Sequence, residues 1–159
     1  MKNFLILLLL GGVAATVGFG QDSSGNKEPF SISISTSKSE VRAGEPVWVK
    51  ATLRNTSGHE INASAVRSHG VDVSYGYDVQ EISGKQVERV EKGSMGKHIQ
   101  SILTRVLKPG EAAEEDTLVS RVYNMSVPGE YMIQLSRSIS ESPNDGNVKS
   151  NKITVTVTP

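Results

Sequence analysis

Three histidines, His59, His69 and His98, are the side chains of this sequence best suited to holding a metal or moving a proton near neutral pH. Two ligands from one element need a short interval, His-x-His on a strand or His-x3-His on a helix, and neither interval occurs. His59 follows a glycine and His69 precedes one, both in polar stretches that read as solvated loops. Together the three define one alternative function, a small metal-dependent hydrolase. A second chemical cluster is Glu111, Glu114, Glu115 and Asp116. Paired carboxylates can do acid–base work or hold calcium weakly, but so dense a run reads as a solvated turn. Asp72 and Asp78 fall on the polar side of an alternating run and are expected at the surface. The chain has no cysteine and no Gly-x-Ser-x-Gly elbow, so it lacks a thiol nucleophile, a thiolate metal site and the commonest serine-hydrolase signature. No catalytic, cofactor-binding or metal residue is assigned, and a non-enzymatic protein is expected.

Residues suited to contact rather than catalysis are easier to name. Trp48 alternates with Val47 and Val49, which puts its indole on the same face as Lys50 and Thr52. Two polar loops, "EKGSMGKH" and "SESPNDGNV", add Met95, Lys97, His98, Asn144 and Asp145. These seven residues form the expected contact surface. Tyr75, Tyr77 and Tyr123 offer a sugar or peptide platform, but Tyr75 and Tyr77 share a face with valines and read as core. Asn55, Asn62 and Asn124 head N-x-S/T triplets, which a chain rich in Ser and Asn produces by chance.

The elements that must position these side chains have a period of two. "FSISIST" sets Phe30, Ile32 and Ile34 against three serines. Val47, Val49, Ala51 and Leu53 alternate with Trp48, Lys50, Thr52 and Arg54 in "VWVKATLRN", and Val71, Val73, Tyr75, Tyr77 and Val79 follow the same rule. "EISGKQVERV" reads as a hairpin about Gly84, and "KITVTVT" as the last strand, paired inside a sheet. "GEAAEEDTL" is the one candidate for a short turn of helix. Strands recurring about every ten residues predict an all-β fold, an immunoglobulin-like antiparallel β-sandwich of seven to eight strands. Apolar packing must hold it, since no disulfide is possible.

The stretch "SVPGEYMIQLS" sharpens that expectation. Pro128 presets the second position of a turn, and Gly129 supplies positive φ at the third. Tyr131 then starts a late strand, where its ring can be buried and its hydroxyl can bond to nearby backbone, clamping a corner between sheets. With "LKPGE" (Leu107–Glu111), "VPGEY" (Val127–Tyr131) and the terminal "ITVTV", the chain resembles bacterial secreted immunoglobulin-like sandwich domains. More loosely, it resembles the BsuPI proteinase-inhibitor family, which shares a "KPGE" turn and a late "PGxY" strand. The resemblance spans about Pro29 to Thr158. It implies a sandwich, and in its inhibitor form a polar loop that occupies a protease cleft.

The N-terminus reads as a targeting segment. Lys2, the apolar run Phe4–Leu10 and small residues up to Gly20 make residues 1–20 a signal peptide, with cleavage before Gln21 favoured over cleavage after Ala15. An uncleaved anchor is the rival, though the uncharged run is short for a span of ~20 residues. Residues 21–29 form a polar leader and 30–159 the domain. Export without cysteine points to a bacterial envelope or secreted protein, periplasmic or extracellular and off the membrane once processed. With 17 basic and 17 acidic residues the net charge is zero, which argues against a nucleic-acid partner. The expected partner is a protein or envelope polymer, with no cofactor.

Overall fold

The computed structural model describes residues 28–90, 101–139 and 147–159. The proposed signal peptide, most of the leader, and the contact residues Met95, Lys97, His98, Asn144 and Asp145 lie outside them. Twelve strands follow in chain order. They are β1 (Phe30–Ser35), β2 (Glu40–Arg42), β3 (Trp48–Asn55), β4 (Ile61–Asn62), β5 (Ala65–Ser68) and β6 (Val71–Asp72). The second half contributes β7 (Gly76–Glu81), β8 (Ser101–Leu103), β9 (Val106–Leu107), β10 (Ala112–Leu118), β11 (Gly129–Arg137) and β12 (Val148–Thr158). A 3-10 helix, Val119–Arg121, is the only helix among the described residues.

Two sheets make the sandwich. One has the order β1-β3-β10, the other β2-β12-β11-β7. By their order along the chain these are the A-B-E and C-F-G sheets of an immunoglobulin-like sandwich. The all-β expectation holds, with a richer inventory than seven or eight strands. The surplus lies in two small sheets, β4-β9 and β6-β5-β8, folded from the long connections on either side of β7. One pairing is parallel: β2 runs alongside β12, with Thr156 opposite Glu40. Strand β12 is therefore paired with β11 along one edge and, over Thr156–Thr158, with β2 on the other, so its last residues lie inside the sheet as expected for so sticky a terminal segment.

Period-two alternation becomes burial almost position by position. Phe30, Ile32 and Ile34 of β1, with Val49, Ala51 and Leu53 of β3, face Val79 of β7, Ile133 and Leu135 of β11, and Val155 and Val157 of β12. Each fully buried Val, Leu or Ile contributes ~1.5–3 kcal/mol, so the stack replaces the covalent staple the chain lacks. Asn151 adds a polar stitch across the sheets. Its side-chain amide accepts from Ile34 N–H at 2.7 Å and donates to Ile34 C=O at 3.0 Å, imitating a ladder bond between β12 and β1.

Four local expectations are corrected. "GEAAEEDTL" is strand β10, because Ala113, Glu115 and Thr117 all point inward and its backbone pairs with β3 along the whole length. Gly129 opens β11 without positive φ; the positive-φ glycine of a Pro-Gly turn is Gly110, at 81°. Val73 leaves its run: the chain turns between β6 and β7, so Val73 is exposed while Tyr75 and Val79 stay buried. Asp72 is buried, at 1% exposure, beside Thr117 of β10.

Candidate functional site

Pairing of β1, β3 and β10 fixes what the first sheet shows to solvent. Because Ser35 and Asp116 both register with Lys50, and Ser33 and Glu114 with Thr52, the outward side chains form cross-strand rows. Trp48 heads the central strand opposite Leu118 and is 44% exposed. Among the described residues it is the only aromatic side chain exposed to this degree. Beside it lies a cleft of about 350 Å³ lined by Ser35, Thr36, Ser37, Trp48, Lys50 and Asp116. The structure thus brings together Trp48 and Lys50, the two expected contact residues it describes.

The backbone under Trp48 is tied down. Thr36 Oγ1 lies 3.0 Å from the Trp48 carbonyl and 2.9 Å from that of Lys38, shared between the two as donor. The indole Cη2 lies near Gly70, where an added Cβ would stand 3.7 Å from it, at ordinary van der Waals distance. Gly70 also has φ of 79°, so a larger residue there would be strained as well as in contact with the ring. Gly70 C=O in turn accepts from Leu118 N–H at 3.1 Å, tying the turn to β10.

The charges on this face cancel locally. Lys50 Nζ lies 2.9 Å from Glu114 Oε2, and Asp116 of the same strand β10 is its direct partner in register. The hydrogen bond from Lys50 to Glu114, reinforced by the charges of Glu114 and Asp116, raises the lysine's pKa above its ordinary value. Arg54, further along β3, donates to Gly110 C=O at 2.7 Å.

The acidic run therefore divides between two faces instead of forming a solvated turn. Glu114 and Asp116 point outward. Glu115 points inward and meets two arginines: Arg67 of β5, and Arg105 at 2.8 Å from Oε1 in an ion pair outside hydrogen-bond geometry. Next to it, Tyr77 donates to the Asp72 carbonyl at 2.6 Å and sits 2.7 Å from Thr117 Oγ1, which accepts from Asp72 N–H at 3.2 Å. Arg137 lies over the Tyr75 ring at 5.1 Å and donates to Ser64 C=O. Arg67 of β5, Arg105 between β8 and β9, and Asp72 of β6 through Tyr77 and Thr117 all connect the inserted segments to β10, so this cluster is structural and docks the β6-β5-β8 sheet on the sandwich.

The histidines do not converge among the described residues. His59 and His69 are both exposed, and His69 adopts positive φ at 51° beside Ser68. No group of three His, Asp or Glu side chains able to hold a metal occurs among the described residues. Tyr75 and Tyr123 are buried and Tyr77 packs on the core, so the tyrosines form no surface platform. Asn55 is buried at 1% exposure and donates from Nδ2 to His59 C=O and Leu107 C=O at 2.7 and 2.9 Å, which makes its sequon structural.

Sequence reasoning found Trp48 and Lys50 but missed Thr36, Gly70 and Asp116 beside them. The signal for Asp116 was its place two residues beyond Glu114, on the face opposite Ala113; the polar inward residues Glu115 and Thr117 masked that alternation.

No protein-family model matches this chain, and no curated relative does. Among solved structures it is similar to the CARDB domain of a Pyrococcus furiosus protein in complex with di-metal ions, at 14% identity and TM-score 0.46, covering 84% of this chain and 96% of that one. It is also similar to part of a β-glucosidase from Listeria innocua, at 14% identity and TM-score 0.46, covering 83% of this chain and 16% of that one. A third is Spo0M, a sporulation control protein from Bacillus subtilis, at 10% identity and TM-score 0.44, covering 82% and 50%.

Proposed function

We propose that this protein is a non-enzymatic binding module, exported to the bacterial envelope or beyond, that engages a protein or polymer partner through the outer face of the β1-β3-β10 sheet. One observation carries the reading: a half-exposed tryptophan stands beside a polar cleft, on a sheet face whose other outward residues are polar apart from Ala112 and the half-buried Leu118. Leaving so large an apolar surface in water is unfavourable, and such anchors concentrate binding energy when covered. The leader-like N-terminus and the absence of cysteine support export. The inhibitor alternative draws on the loops 91–98 and 140–148, which fall almost wholly outside the described residues.

Co-sedimentation of the processed chain with the insoluble envelope fraction tests the reading. The wild-type chain is expected in the pellet and Trp48→Ala in the supernatant, with both showing the same circular dichroism. Equal pelleting of the two would overturn it.

A further inference from the structure

The chemistry around Trp48 narrows the partner's class, resting on the reading of this face as the binding surface. The cleft is lined by the hydroxyl-bearing Ser35 and Ser37, the Lys50 ammonium and the Asp116 carboxylate beside one indole, while the Thr36 hydroxyl is spent on the Trp48 and Lys38 carbonyls. Hydroxyls donate and accept, while carboxylate and ammonium make charge-assisted bonds to neutral polar groups. The net charge is the deciding feature. Lys50 and Arg54 are matched on the same face by Glu114 and Asp116, so a strongly anionic or cationic polymer meets no complementary field. A lipid surface or an apolar helix would need more than one exposed apolar side chain at the cleft; Leu118, opposite Trp48, is half-buried.

A ligand that fits must have an apolar patch the size of one indole, a dense fringe of hydroxyls and no net charge. A pyranose ring has these properties: its axial C–H bonds form a flat apolar face that packs on an aromatic ring, and its equatorial hydroxyls project sideways into hydrogen-bonding range. The geometry points to a neutral carbohydrate chain, with one sugar ring stacked on Trp48 and neighbouring hydroxyls bonded to Asp116, Lys50, Ser35 and Ser37.

Affinity electrophoresis of the processed chain in gels containing a soluble β-glucan, a xylan, a galactomannan or an anionic alginate tests this. Retardation by at least one neutral polysaccharide and none by alginate is expected. Trp48→Ala should weaken it roughly tenfold or more and Trp48→Phe less. Raising the salt to about 0.5 M should change it less than about twofold, since no charge is neutralised. Retardation by alginate alone, or by none of the four, would overturn the carbohydrate assignment while leaving the Trp48 face open to a protein partner in the envelope-pelleting assay. Undiminished retardation of Trp48→Ala by a neutral polysaccharide would overturn both.

Discussion

The hydroxyl of Tyr131, at the start of β11, donates a 2.6 Å hydrogen bond to the carbonyl of Val127, four residues upstream. It closes the corner through which the chain passes from the first sheet to the second. The ring is buried and the bond is local, so the clamp fixes a direction more than it adds stability. Tyr131→Phe should keep the fold and lose about 1 kcal/mol in urea unfolding, the usual net worth of one hydrogen bond. A loss near zero would mean that packing alone turns the corner.

Burial sets the alkaline limit of this protein. All four tyrosines have pKa values raised chiefly by desolvation, Tyr77 most strongly, because a phenolate would be stranded from water. Below the unfolded value of about 10 both states keep the proton and stability is flat; above it the unfolded chain ionises first, and stability falls by ~1.4 kcal/mol per pH unit for each tyrosine still held neutral. Phenolate absorbance should therefore rise in one cooperative step, late and together with unfolding. Gradual ionisation near pH 10 in a folded protein would contradict this burial.

Among the described residues Glu115 forms the ion pairs to both Arg67 and Arg105, and its removal takes both pairs from the seam between β5 and β10, leaving Asp72 opposite Arg67 in register. Both arginines are about a third exposed and can turn toward water, which keeps the cost below that of a fully buried pair. Glu115→Gln is expected to cost about 1–3 kcal/mol. Hydrogen exchange should show the β6-β5-β8 amides losing protection before those of β11. Uniform loss across both sheets would show that the cluster does not dock the inserted sheet.

Asn55 ends β3 with its amide between two carbonyls. Asn55→Ala strands the Leu107 carbonyl in the interior and should cost about 1–3 kcal/mol, whereas Asn62→Ala, at an exposed sequon, should fall within about 0.5 kcal/mol of wild type. Equal effects would contradict the distinct roles of the two asparagines.

These contrasts show what the sequence made legible. Strands with apolar residues at every second inward position, such as Phe30–Ser35 and Trp48–Asn55, could be read directly, with their faces, because burial and period coincide. The reading failed where the inward residue is polar. Asp72, Glu115 and Thr117 are inside because partners on other strands satisfy them, and those partners lie far away in sequence. The parallel pairing of β2 with β12 was hidden for the same reason: register across the whole chain is a tertiary fact. Trp48 was visible as an apolar residue out of phase with its strand. Gly70, which lies beside its ring, was not.

Since Trp48 is the chain's sole tryptophan, its fluorescence reports on one residue of the proposed surface. Solubilised envelope material should shift that emission to shorter wavelength and shield it from acrylamide, saturably, as the half-exposed indole is covered. Binding of the same material, detected by sedimentation, with emission and quenching unchanged would place the contact elsewhere on the molecule and contradict the assignment of this face.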